Sequence, residues 1–167
     1  MRRYLPVVVV VLLAGGFALA EVLGGGAGDS ASSRPAPELP RQVLVGPRIT
    51  LASLRGKPAV VHFWASWCDP CRREAPELAR LPAALGGRAR LVGVDWNDGL
   101  GPARLFVRKY RWRFPSLVDA SGAVGDRYGL TGMPTTYILD RRSRIRATLR
   151  GPQSIASVKA ALKKLGS

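Results

Sequence analysis

Residues 58–66, Pro-Ala-Val-Val-His-Phe-Trp-Ala-Ser, form an almost unbroken apolar run that ends one residue short of Cys68-Asp69-Pro70-Cys71. A strand that covers one face alternates polar and apolar positions. A run without alternation needs cover on both faces, and its β-branched and aromatic content makes this one a buried strand. Directly after it Leu78, Leu81 and Leu85 recur at spacings of three and four, which predicts a helix from Cys68 to about Leu85 with Gly86-Gly87 as its stop. A doubly covered strand that feeds straight into a helix requires helices packed on a sheet, so the chain is of the α/β class.

The pattern further along agrees. Arg88 to Trp96 reads as a second buried strand, and residues from about Pro102 to Tyr110 as a helix with Leu105, Phe106 and Tyr110 on one side. Phe114 to Asp119 is a short strand, Ser121 to Gly129 a turn or short helix, and Pro134 to Asp140 with Arg144 to Arg150 an antiparallel pair. Pro152 opens a last helix, on which Ile155, Val158, Leu162 and Leu165 make an apolar stripe. Between Gln42 and Leu54 two short apolar runs flank Gly46-Pro47 and predict a hairpin. The expected architecture is a central mixed β-sheet flanked by helices, with an N-terminal β-hairpin extension and no internal repeat.

Ahead of this body stand Arg2 and Arg3, an uncharged apolar run from Leu5 to Ala20, and a stretch rich in Gly, Ser, Ala and Pro. The expected division is a signal or membrane anchor over 1–23, a flexible linker over 24–40 and a globular domain over 41–167. The apolar run is marginal against the roughly 17–25 residues that a membrane-spanning helix needs. Ala18-Leu19-Ala20 also has the small residues of a cleavage site, so anchor and cleaved signal both fit. Either places the body outside the cytoplasm, membrane-anchored or secreted, where disulfide chemistry is permitted. The formal charge of +15 arises from 26 Lys and Arg against 11 Asp and Glu. The basic residues are spread through 104–113 and 141–150 with no nucleic-acid-reading motif, which fits a solvated basic surface and excludes nucleic acid as the expected partner.

Cys68 and Cys71 are the only cysteines. A link between them closes so short a loop that it removes little entropy from the unfolded chain, so stapling is a poor use of it. A zinc site needs about four ligands, or three and a water, and the chain offers two cysteines and the lone His62. No metal and no cofactor are expected. What remains is Cys-x-x-Cys at the end of a buried strand and the start of a helix. There the helix dipole and free amides favour a Cys68 thiolate that attacks disulfides, while Cys71, one turn on, resolves the mixed disulfide.

These residues carry a family resemblance. Over about 41–166 the sequence resembles thioredoxin-fold proteins, specifically the exported TlpA/ResA-type thiol-disulfide oxidoreductases. It does so through Leu54–Leu78 with its strand, cysteine pair and helix, through Phe114–Gly129, and through Tyr128–Asp140 with Gly132-Met133-Pro134-Thr135-Thr136. The resemblance implies that Pro134 is a cis-proline facing the cysteines, with Met133 before it. Taken alone, the tripeptide ending in Pro134 would be an ordinary turn. Pro76, five residues after Cys71, falls where the family kinks its first helix. A client peptide is expected along Trp67, Asp69, Pro70, Met133 and Pro134, pairing with the backbone at Met133 as an added strand. Glu74 reads either as a surface carboxylate offsetting Arg72 and Arg73 or, as the family implies, as a partly buried acid that exchanges a proton with a cysteine thiol. Asp69 suits a helix start, yet as an anion beside Cys68 it opposes thiolate formation. Trp67 covers Cys68 and shapes the partner surface, or merely packs.

There are departures. His62 stands where thioredoxin has a buried acid and TlpA-like proteins usually have Asn; it reads as a core histidine satisfied by backbone, with a proton relay as the second reading. Asp140-Arg141-Arg142-Ser143-Arg144 replaces the usual Asp-x-x-Gly turn. The resulting expectation is a monomeric protein-disulfide reductase. Its partners are exported proteins with cysteine pairs, such as an apocytochrome c, together with a membrane thiol-disulfide electron donor. Two alternatives stand beside it: a disulfide-forming oxidase, and a copper carrier of the same fold that would want a third soft or imidazole ligand.

Overall fold

The computed structural model describes residues 33–165. The segment 1–23 and the linker as far as residue 32 therefore lie outside the described residues. Seven strands form one sheet: β1 (Arg34–Pro35), β2 (Gln42–Val45), β3 (Ala59–Trp64), β4 (Arg90–Trp96), β5 (Ser116–Asp119), β6 (Thr135–Leu139) and β7 (Arg144–Arg150). Their spatial order is β1-β7-β6-β3-β4-β5-β2. β3 runs parallel to β4, β4 runs parallel to β5, and the remaining pairs are antiparallel. The helices are α1 (Asp69–Leu85), α2 (Leu100–Lys109), α3 (Ala123–Tyr128) and α4 (Ile155–Lys163).

The run that opened the sequence reading is the centre of this sheet, and every residue of β3 is buried. Alternation along a strand sends neighbours to opposite faces. Val60 and Trp64 join the cluster that contains Leu78, Leu81, Phe106, Trp112 and Val158. Val61 and Phe63 join the cluster with Leu54, Tyr128 and Tyr137. Both faces are thus filled, as an unbroken apolar run requires.

α1 begins with Cys68 as its N-cap, whose Sγ accepts the Cys71 amide at 3.1 Å, and ends at Gly86, left-handed at φ 55°. Its buried face is Cys71, Glu74, Ala75, Leu78, Leu81 and Leu85. Pro76 and Pro82 both sit inside it, and each removes one backbone donor. α4 is capped by Ser154 in a reciprocal pairing with Ser157, two residues beyond the Pro152 expected to open it. α1 supplies further caps for this helix start. Glu74 Oε2 accepts the Gln153 amide at 2.7 Å and Glu77 Oε1 the Ile155 amide at 3.2 Å. The amide of Ile155, and then Arg80, hold the Glu77 carboxyl below its ordinary range.

Three expectations need correction. The hairpin between Gln42 and Leu54 is absent: β2 pairs instead with β5, Gln42 opposite Val118, and the second apolar run is a 3-10 turn at Ala52–Leu54. Leu51 and Leu54 are a helical three apart, and Thr50 and Ser53 bond each other's amides, so the segment closes on itself rather than extending. The expected linker does not run to Pro40. From Arg34 the chain lies on the sheet as β1, and Ala36 and Leu39 are buried in the second cluster. The Arg34 guanidinium donates to the carbonyl of Tyr128, and the Tyr128 hydroxyl donates to that of Pro37 at 2.9 Å. Pro and Ala composition had suggested flexibility where two apolar side chains supply the docking. Leu105, placed on the packed side of α2, is 59% exposed, while Ala103, Phe106 and Val107 face the core.

The turn between β6 and β7 closes without glycine. Asp140 Oδ1 accepts the amides of Arg142 and Arg144 at 2.9 and 3.0 Å, and Ser143 takes the left-handed position at φ 58°.

Candidate active site

The structure joins Cys68 and Cys71 in a disulfide with their Cα atoms 5.2 Å apart. Cys68 is 5% exposed and Cys71 1%, so the first sulfur belongs to the residue nearer the surface. The Met133–Pro134 peptide is cis, the geometry implied by the family resemblance. A shallow hollow of about 370 Å³ lies between the cysteine turn and this loop, with Trp67, Cys68, Pro70, Trp96 and Met133 in its wall. Trp67, Asp69, Pro70 and Met133 therefore meet around Cys68. A larger cavity of about 1490 Å³ lies where β3 begins and α1 ends, among Arg55, Pro58, Leu85, Arg88 and Arg141. It touches neither cysteine, so the smaller hollow is the candidate site.

Two neighbouring segments hold the cysteine turn. Arg72 donates to the Ser66 carbonyl at 2.8 Å and pairs with Asp69 at 2.6 Å. The Asp69 carboxylate thus has a cation of its own, which offsets its expected opposition to a Cys68 thiolate. From the loop after β4, Asp98 Oδ2 accepts the Ser66 amide at 2.6 Å, and the Trp67 indole donates to the Asn97 carbonyl at 3.0 Å. Trp67 is 51% exposed, so it stands beside Cys68 as a projecting surface.

Behind the pair lies a buried polar line. Glu74 is on the same buried face of α1 as Cys71 and is 4% exposed. Its Oε1 comes within 3.1 Å of His62 Nε2, close but off the line of a good hydrogen bond, while His62 Nδ1 is 2.9 Å from Thr136 Oγ1. His62 is fully buried, and its partners are side chains, not the backbone of the first reading. The register makes this possible, because His62 on β3 is directly opposite Thr136 on β6. Of the two readings of Glu74, the surface one does not hold.

Sequence reasoning missed four residues near this site. Trp112 encloses His62 edge-on with centroids 6.2 Å apart, and its indole donates to the Ala75 carbonyl at 2.9 Å. Thr136 is one of two buried threonines that open the otherwise apolar β6, and a polar pair in a buried strand was its signal. Asp95 and Asp98 were passed over altogether. Asp95 is a fully buried acid within an apolar strand. Burial first, then the neighbouring charges of Asp98 and Asp119, push its carboxyl up to about 8.

Comparison with known proteins agrees with this geometry. The profile of the AhpC/TSA family matches residues 33–148. The thiol-disulfide oxidoreductase ResA of Bacillus cereus is 26% identical over 167 residues, covering 98% of this chain and 96% of the relative. The thiol:disulfide interchange protein DsbE of Pseudomonas aeruginosa is 36% identical over 118 residues, 70% of this chain and 64% of the relative. Among solved structures, a secreted Mycobacterium tuberculosis disulfide oxidoreductase homologous to Escherichia coli DsbE superposes with a TM-score of 0.67 at 30% identity, covering 81% of this chain and 100% of that one. The family match begins ahead of β1, ends inside β7 and takes in the whole cysteine turn, and the chain therefore belongs to the AhpC/TSA family, within the thioredoxin fold.

Proposed function

We propose that the chain is an extracytoplasmic thiol-disulfide oxidoreductase that works as a reductase of cysteine pairs in other exported proteins. The observation that carries the reading is Cys68 as N-cap of α1: its sulfur accepts the Cys71 amide and borders a hollow open to a partner. A thiolate at that atom is stabilised by the free amides and dipole of the helix.

In the reduced protein the Cys68 thiolate attacks one sulfur of a client disulfide, forming a Cys68–client bond and expelling the other client sulfur as a thiolate. Cys71, as thiolate, then attacks Cys68 Sγ. The Cys68–Cys71 bond forms and the client leaves with two more electrons, its two thiolates taking up their protons from solvent. Glu74, on the Cys71 side of α1, takes the Cys71 proton during the second attack and returns it on re-reduction. The client segment lies between Trp67, Asp69-Pro70 and Met133-Pro134, with strand-like bonds to the backbone at Met133. The client class is exported proteins with cysteine pairs, an apocytochrome c among them; the electron donor is a membrane thiol-disulfide protein; and the enzyme acts as a monomer.

Direction is tested by potential. The absence of a cation or histidine between the cysteines predicts a value near the roughly −270 mV of thioredoxin, not the roughly −120 mV of strong oxidants, a gap of about 7 kcal/mol for two electrons. Equilibration with glutathione buffers measures it, and Cys71→Ser should accumulate clients as mixed disulfides on Cys68. An oxidising potential, with the pair found as a disulfide in cells, would reverse the direction. A tightly held stoichiometric ion without exchange activity would make the protein a metal carrier.

Among the described residues no helix is long and apolar enough to cross a membrane, so membrane attachment rests on the sequence of residues 1–23. The proposal is that this segment is retained as an anchor. Cell fractionation should find the protein with the membrane; soluble mature chains beginning at Glu21 would show a cleaved signal instead.

A further inference from the structure

Asp95 has no part in the exchange chemistry described above, yet it is buried opposite Trp64, the last residue of the strand that leads to Cys68. Strand pairing puts it beside Trp64 on β3 and Val118 on β5, and its side chain is wholly enclosed. Neither carboxyl oxygen meets a donor with hydrogen-bond geometry among the described residues. A carboxylate left so would bear an uncompensated charge in a low-dielectric interior. The charged groups that face it, Asp98 from the following loop and Asp119 at the end of β5, are both acids and add to that cost. Asp98 is also the one that reaches the cysteine turn. Its Oδ2 accepts the Ser66 amide at 2.6 Å and its Oδ1 the Gly99 amide at 2.7 Å. Asp119 is committed elsewhere, accepting the amides of Val124 and Gly125.

We propose that Asp95, as the acid, bonds Asp98 and that the two form a latch on the Ser66–Trp67 turn, making Asp95 a positioning residue for Cys68. With Asp95 protonated, its hydroxyl donates to the Asp98 carboxylate, which keeps its grip on Ser66. Removal of that proton to solvent sets two carboxylates against each other. Asp98 is only partly buried and is the one free to turn outward, and Ser66 then loses its acceptor. Trp67, held to the neighbouring Asn97 carbonyl, shifts with it. Proton loss from a strand of the core is in this way felt two residues ahead of the attacking sulfur.

The oxidised full-length chain in detergent isolates the effect, because the disulfide leaves no thiol to titrate. The amide resonance of Ser66, followed by NMR from pH 6 to 10, should shift with a midpoint near pH 8, where burial and its acidic neighbours place Asp95. In Asp95→Asn the shift should vanish. In Asp98→Asn it should move to lower pH, because one of the opposing charges is gone; this second variant serves if the first does not fold. In the reduced proteins, the ratio of the Asp95→Asn exchange rate to the wild-type rate with a small aromatic disulfide should rise severalfold between pH 7 and 9. Thiol deprotonation is common to both proteins and cancels in the ratio. A Ser66 resonance that ignores pH, a shift that persists unchanged in both variants, or a flat rate ratio would each overturn the latch.

Discussion

Trp112→Ala should destabilise the domain by about 3–5 kcal/mol, the usual cost of deleting a large aromatic from a packed core. The residue is 4% exposed, with its ring centroid 4.9 Å from that of Trp64, 5.2 Å from Phe106 and 4.7 Å from Phe114. Few atoms around it can collapse into the space, because three of its neighbours are themselves large planar rings. Its indole also donates to the Ala75 carbonyl on the helix that carries Cys71 and Glu74. Trp112→Phe is the milder change: a phenyl ring remains, while the donor and part of the indole go, and a loss of about 1–3 kcal/mol is expected from the abandoned carbonyl and the small cavity together. Urea unfolding monitored by circular dichroism measures both. A Trp112→Ala protein within about 1 kcal/mol of wild type would mean that the ring is not the keystone of this face.

Glu74→Gln should slow disulfide exchange at neutral pH by about 10², the lower end of what a positioned proton carrier contributes, and should alter the shape of the pH profile. Stability should change little. The amide has the shape of the carboxylate, its oxygen can still accept from Gln153, and its NH₂ can face His62. The substitution should be visible on the ring. A carboxylate only accepts, so it favours a proton on His62 Nε2, with Nδ1 accepting from Thr136; an amide NH₂ favours the reverse tautomer. Nitrogen NMR of the lone histidine distinguishes the two forms. Superimposable rate profiles for wild type and Glu74→Gln would leave the carboxylate with only its capping role at α4.

The sequence announced the middle of this molecule far better than its margins. The unbroken run at β3, the leucine spacing of α1 and the Pro-Thr-Thr strand all express local constraints, burial on two faces or helical periodicity, and they are visible in a window of ten residues. β2 was misread because its partner β5 lies far along the chain, and no local pattern distinguishes a strand that turns back on itself from one that pairs at a distance. The same holds for the site. Cys68, Cys71 and Pro134 are marked by motif, whereas the connection of Glu74 to His62 depends on α1 lying over β3, and that of His62 to Thr136 on the pairing of β3 with β6. Asp95 carried a local signal, a charge inside an apolar strand, but its meaning rests on the loop that folds back to Ser66.

The strap formed by residues 34–45 reaches both margins of the sheet, with β1 on β7 and β2 on β5. An unpaired strand edge is a template for another chain, and here one short segment shields two such edges at once. The shield on β7 is partial, since β1 pairs only with Arg144 and Ile145. Pro35 brings no backbone N–H to that margin, which disfavours further strand addition there. Beyond β1 the margin of β7 carries the exposed Arg146 and Arg150. Along the part of β7 that β1 leaves uncovered, Arg146 and Arg150 put like charges where a second copy would have to add its strand, which disfavours such pairing.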